Sequence, residues 1–262
     1  MTKRGALSWK ARLTPWLLPV ALLSTWYLLS RTGRLPDKIL PSPPSVVHAA
    51  WKLLRSGDLW RHVTVSTLRA FTGLAVGGSI GLTLGFLTGL SRTANRLLDN
   101  SIQMVRTIPN LALIPLVIVW FGIGEEAKIF LIAVGVFFPI YLNTYHGIRS
   151  VDTGLTEMGK VYGLSPIALF AQVILPGAIP SILVGLRLAL GTMWVTLIAA
   201  EAIASESGIG YMTSQAREFM QTDIVLVGTL LYALLGKLAD VISRALEQQL
   251  LPWNRAYQLD RN

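Results

Sequence analysis

Residues 68–90 read LRAFTGLAVGGSIGLTLGFLTGL, and this stretch decides the fold. It is apolar enough, and long enough, to cross the ~30 Å hydrocarbon core of a bilayer as one helix, which takes about 20 residues. Its glycines recur every four residues, at Gly73, Gly77, Gly81, Gly85 and Gly89. On a helix that spacing lines them along one slowly drifting face, where a second backbone can approach closely. Two readings of such a face stay open: a seam between moving parts, or a static packing surface. The same stretch contains Gly77-Gly78-Ser79-Ile80-Gly81, which matches the G-x-S-x-G elbow of serine hydrolases. That elbow needs a strand–turn–helix corner with His and acid partners. A continuous apolar helix in a chain with 23 glycines meets the pattern by chance.

Five more apolar segments flank this one, at about residues 13–30, 108–122, 127–147, 178–200 and 223–243. The chain is 52% hydrophobic and only 14% charged, whereas soluble domains carry about 25% charged residues. The expectation is an all-α, polytopic membrane bundle of about six transmembrane helices, with no separate soluble domain. The segment 108–122 is short and holds Pro109 and Pro115, which a bilayer tolerates where neighbours or cavity water satisfy the freed carbonyls. It is therefore either a kinked span or a re-entrant segment. Residues 13–30 follow a basic start, as a signal peptide would, but Arg31-Thr32-Gly33-Arg34 offers no small-residue cleavage site. A retained first helix is expected.

The net charge of +9 is spread between the apolar segments, a pattern suited to lipid headgroups rather than to nucleic acid. There is no cysteine, and His48, His62 and His146 are scattered, so no metal spacing exists. Gly236-Lys237 is followed by Leu238 and lacks the glycine of a phosphate loop. No catalytic residue, metal or cofactor is expected. With the N-terminus inside, twelve Lys and Arg fall on inner segments and eight on outer ones, which favours cytoplasmic termini. The resulting division is a cytoplasmic N-terminus at 1–12, a first helix at 13–30 and an outer loop at 31–67. A transmembrane domain at 68–246 and a cytoplasmic tail at 247–262 complete it. In the outer loop, Pro43-Pro44-Ser45 precedes Val47, Ala50, Trp51 and Leu54, the stripe of a short interfacial helix ending at Gly57.

Residues 149–177, between two spans, are not simply polar. Asp152 or Thr153 can cap a helix whose Leu155, Met158, Val161 and Tyr162 share a face, and Gly163 suits its C-terminal cap. Ser165-Pro166 then begins a second short helix that Pro176 should stop. The pair makes a knob with an apolar face in need of a partner.

This loop resembles that of the permease subunits of binding-protein-dependent ABC importers. Their pattern is Glu-Ala-Ala, three residues, Gly, nine residues, then Ile-x-Leu-Pro. Here it reads Glu157-Met158-Gly159, Gly163 and Val173-Ile174-Leu175-Pro176, departing at Met158, Gly159 and Val173. Ile39-Leu40-Pro41-Ser42-Pro43, Arg106-Thr107-Ile108-Pro109, Trp120-Phe121-Gly122-Ile123-Gly124, Gly185-Leu186-Arg187, Gly191, Trp194, Glu201 and Gly208-Ile209-Gly210 look like the nitrate/taurine/sulfonate branch, nearest its aliphatic sulfonate permeases.

The resemblance implies the type I ABC importer permease fold in a bacterial inner membrane, with the knob as a cytoplasmic coupling loop. It further implies a homodimer of permeases, a cytoplasmic ABC ATPase dimer and a periplasmic solute-binding protein that supplies most of the selectivity. Glu157, Met158, Gly159, Val161, Tyr162, Gly163, Leu175 and Pro176 become the ATPase-coupling candidates. Pathway candidates are Arg187, Glu201, Asn143, Thr144, Thr192 and Thr196. Arg187 either grips an anionic sulfonate or pairs with an acid, and Glu201 either repels anions or holds Arg217. Lys237 and Asp240, three apart, suit an ion pair. The neutral groups suit a pathway or helix-to-helix bonds alike. The substrate could instead be taurine, nitrate or another small anion; a secondary transporter would leave the knob unexplained.

Overall fold

The computed structural model describes residues 9–203 and 205–252. Lys3 and Arg4, and the tail residues Arg255 and Arg261, lie outside that range. Every regular element among the described residues is helical. The chain divides into two compact units, residues 1–60 with 212–229, and residues 61–211 with 230–262.

In the first unit, α1 spans Trp9–Arg31, and its 23 residues give about 34 Å at 1.5 Å per residue, the length of a membrane crossing. It bears exposed Trp16, Leu17, Leu18, Val20, Leu22, Leu23 and Leu28, a surface suited to lipid. The helix α2 spans Pro43–Ser56, capped by the Ser42 side chain and closed by Gly57 at φ +83°, where only glycine is unstrained. Its inward face is Val46 and Ala49, while Val47, Trp51 and Leu54 of the anticipated stripe point outward.

The second unit holds the core. Helix α3, Asp58–Leu90, begins well ahead of the apolar stretch, directly after the Gly57 cap. Its glycines lie against α6, Glu125–Arg149. A Cβ on Gly77 would sit 2.1 Å from the Ala133 carbonyl oxygen. The contacts advance together: Gly73 meets Ile132, Gly81 meets Phe137, Gly85 meets Thr144 and Gly89 meets Ile148. Helices α3 and α6 are therefore parallel, and the chain between them must cross back.

That return corrects the expectation for 108–122. Instead of one short span, there is an amphipathic α4, Arg92–Arg106, then a 3₁₀ turn, Asn110–Leu113, then α5, Ile114–Phe121, with an 83° bend. At eight residues, about 12 Å, α5 cannot cross alone. Tyr141 donates to Asp99 of α4 at 2.9 Å, Asn110 donates to the Leu131 carbonyl at 3.4 Å, and Ile114 and Val117 pack with Ala127 and Leu131. The segment thus climbs antiparallel to α6 as a broken span rather than a loop returning to its own side. The break falls at Pro109, whose missing N–H ends the helical ladder.

After α6 come α7, Thr153–Val161, and α8, Pro166–Leu169. The expectation that Pro176 stops the second of these fails. A π-turn, Phe170–Ile174, closed by the Leu175 N–H on the Phe170 carbonyl, leads straight into α9, Leu175–Ile203. Proline lacks a donor and its ring crowds the carbonyl four residues back; the wider π-turn lets the helix continue through it. Helix α9 runs antiparallel to α6: Gly147 meets Ser181 and Ala178, Gly185 meets Asn143 and the Pro139 carbonyl, and Gly135 meets Thr196. The described residues close with α10, Ile209–Glu218, and α11, Thr222–Leu250, which carries Glu247 on helix rather than in a tail. Among the described residues four helical runs, α1 not among them, are long and apolar enough to cross a membrane, or five if the bent pair counts as one span, against the six expected.

Candidate functional site

Two sites stand at opposite ends of α6 and α9. At one end is the knob. The Asp152 carboxylate accepts from the Gly154 N–H at 2.7 Å and caps α7; Ser165 caps α8 through the Ala168 N–H at 3.3 Å. Gly163 between them has φ +80° and open space around its missing Cβ, so it is needed for backbone conformation rather than for room. Gly159 is there for room: a Cβ would lie 2.7 Å from the tip of Leu169 and 3.2 Å from that of Leu164. Leu155, Met158, Gly159, Tyr162, Leu164, Val173 and Pro176 line a shallow groove. Glu157 is exposed on α7. Val161, Tyr162 and Ile167 are 86%, 79% and 81% exposed, an apolar surface that water does not favour.

At the other end is a charge cluster that the sequence reading did not assemble. Arg69 of α3 is 4% exposed. Its Nε and Nη2 donate to the two carboxylate oxygens of Glu125 at 2.5 Å each. Its Nη1 donates to Glu201 at 2.8 Å and to the Ser207 carbonyl at 2.6 Å, and its Nη2 also reaches the Ser207 hydroxyl at 3.0 Å. Lys128, buried one turn along, adds a 3.1 Å bond to Glu125. Glu201 is fully buried and accepts from Ser66 at 2.8 Å, the Gly210 N–H at 2.9 Å and Tyr232 at 3.3 Å. The anticipated roles of Glu201, repelling anions or holding Arg217, give way to this pairing with Arg69; its oxygens are filled. Arg217 donates to Ser214 at 3.5 Å. His62 and Ser66 accept the N–H groups of Gly208 and Ile209 at 3.0 and 2.8 Å. A Cβ on Gly208 would come within 2.3 Å of Glu201, which explains the glycine there. The signal available in the sequence was position: Arg69 and Ser66 lie one and two turns before Gly73 on the same helical face.

The remaining candidates stay separate. Arg187 binds Glu247, which is 2% exposed. Asn143 donates to the Pro139 carbonyl of its own helix at 2.8 Å, and Thr192 to Leu188 at 3.0 Å. Thr196 accepts from Asn110 at 3.0 Å, and Thr144 is fully buried against the glycine seam. Lys237 and Asp240 pair at 3.2 Å, and Arg244 joins them at 3.1 Å. These groups do not form one polar lining.

A polytopic helical body with a capped, exposed knob between its spans defines a transporter's membrane component, and the chain belongs to that family: residues 80–251 match the binding-protein-dependent transport system inner membrane component. Family members of this kind are non-catalytic permeases that work with an ATPase and a solute-binding protein. Among relatives, the chain is 60% identical to SsuC, named for aliphatic sulfonates transport, of Escherichia coli (strain K12), over 96% of this chain and 95% of that one. SsuC of Bacillus subtilis (strain 168) shares 43% over 92% of this chain and 88% of its own. The taurine transport permease TauC of Escherichia coli (strain K12) shares 36% over 90% and 88%. The fold is that of the MetNI methionine ABC transporter, with TM-score 0.53 and 23% identity over 78% of this chain and 98% of that chain. An amino acid ABC transporter matches with TM-score 0.54 and 18% identity over 70% and 92%.

Proposed function

We propose that this chain conducts aliphatic sulfonates inward across a bacterial cytoplasmic membrane, as the permease subunit of an ATP-driven importer working by alternating access. The observation that carries the substrate is the 60% identity to SsuC over nearly the whole of both chains. The knob, with exposed Val161, Tyr162 and Ile167, is the surface that would seat in a groove of the ATPase. Two copies of the chain would enclose the pathway, with the knob and both termini cytoplasmic, as the Lys and Arg distribution favours. The charge cluster then faces the side of the solute-binding protein.

The test is growth. Cells lacking their own sulfonate importer receive this chain with its cognate ATPase and binding protein, and an alkanesulfonate as sole sulfur source. Growth that requires all three parts is the expected result. Absence of growth, with the chain shown to be in the membrane, overturns the sulfonate assignment and moves it to taurine, nitrate or another small anion.

A further inference from the structure

The glycine face of α3 could be a joint that slides or one that stays shut. Resting on the permease reading above, we propose that Arg69 is a positioning residue that clamps the ends of α3, α6 and α9 farthest from the knob. The glycine seam would then remain closed throughout the transport cycle, and the moving boundary would lie outside this three-helix body.

The seam has no slack. The Gly77 Cα already stands so close to α6 that a Cβ would lie 2.1 Å from the Ala133 oxygen, and 2.6 Å from Ile132 at Gly73. Sliding by one residue turns the helix by about 100° and brings Leu or Val side chains where only hydrogen fits. The only register that restores glycine contact is a whole four-residue step, about 6 Å along the axis. The clamp forbids that step. Arg69 spreads its donors over Glu125 of α6, Glu201 of α9 and the Ser207 carbonyl. Parting α3 from α9 strands the buried charges of Arg69 and Glu201 away from water, and parting α3 from α6 takes from Arg69 both of its bonds to Glu125. The loop that follows α9 is held as well, because the N–H groups of Gly208, Ile209 and Gly210 are taken by His62, Ser66 and Glu201. Side chains of α3 thus grip a loop more than a hundred residues away in sequence, as the 146-residue separation of His62 and Gly208 shows.

The chain has no cysteine, so paired cysteines report on this joint without background. Gly73→Cys with Ile132→Cys lies one turn from Arg69, and Gly89→Cys with Ile148→Cys lies at the seam's other end. Their Cβ atoms would be 2.6 and 3.0 Å apart. A disulfide needs about 3.8 Å, an opening of roughly 1 Å, for which loss of the isoleucine branches leaves room. Each pair is assembled with the ATPase and binding protein in proteoliposomes, and uptake is measured before and after oxidation, with free thiols tagged to count disulfides. The expected result is complete disulfide formation with undiminished uptake. Loss of uptake on oxidation, restored by reduction, overturns the proposal. So does failure of both pairs to oxidise, which would deny the contact itself. No uptake even from the cysteine-free parent would instead overturn the permease reading.

A second variant tests the clamp directly. Arg69→Gln in the Gly73→Cys, Ile132→Cys background should lose uptake when reduced and regain part of it when oxidised, because the covalent staple replaces the α3–α6 arm of the clamp. If the disulfide forms and no uptake returns, Arg69 is not acting by holding α3 against α6.

Discussion

The two ends of the α6–α9 pair are built on opposite plans. At the Arg69 end, Arg69, Lys128 and Glu201 are buried and paired, and the glycine at 208 exists because Glu201 fills the space where a side chain would go. At the knob end, apolar side chains are exposed, and the glycine at 163 exists because the backbone turns through φ +80° in open space. A buried, saturated network suits a part that keeps its shape. An exposed apolar surface suits a part completed by another protein. The difference teaches that stability and coupling are separable in this chain, and mutations should separate them.

The comparison is broken most forcefully at the seam. Gly77→Leu places a side chain into the Ala133 carbonyl and should destabilise the body by more than ~3 kcal/mol, beyond the usual range for overpacking; loss of monodisperse protein on size-exclusion in detergent measures it. Arg69→Ala leaves Glu201 buried without its cation and should cost about 3–5 kcal/mol, seen as a lower Tm. Removing Glu201 as well, as Arg69→Ala with Glu201→Gln, should recover part of that loss, whereas additive losses would mean that the two do not act as one network. At the knob the scale shrinks. Gly163→Ala forces a Cβ into the left-handed region and should cost about 1 kcal/mol, with reduced uptake. Val161→Glu, on a side chain 86% exposed, should change stability by no more than ~0.5 kcal/mol. Yet it should abolish uptake and leave ATP hydrolysis unresponsive to the loaded binding protein. Normal uptake from that variant would remove the coupling role from the knob.

Much of this plan was legible from local patterns. The helical periods at 68–90, 127–147, 178–200 and 223–243 mark the four long runs, and Asp152, Gly163 and Ser165-Pro166 mark the ends of the knob helices. Helix α4 was not legible as a helix, because its Arg, Asn and Asp residues interrupt any apolar run, and the docking of Asp99 on Tyr141 is a tertiary contact. The continuation through Pro176 depends on a π-turn, which leaves no compositional mark. The charge cluster joins residues 56 and 132 positions apart, Arg69 with Glu125 and with Glu201. Periodicity shows that Arg69 shares the glycine face, but which carboxylate meets it is decided by the parallel packing of α3 and α6, a property of tertiary structure alone.

That parallel packing also dictates how the chain can be made. Helix α3 has no partner for its glycines until α6 has been synthesised, and the segment in between holds only an eight-residue apolar helix after a proline break. At ribosomal speeds of ~5–20 residues per second, the stretch from Leu90 to Arg149 takes about 3–12 s to emerge. For that interval α3 must wait in lipid with its backbone bared, and the broken span must wait with Asn110 uncovered. Biogenesis therefore has a vulnerable window in the middle of translation, closed only when α6 arrives to cover both neighbours at once.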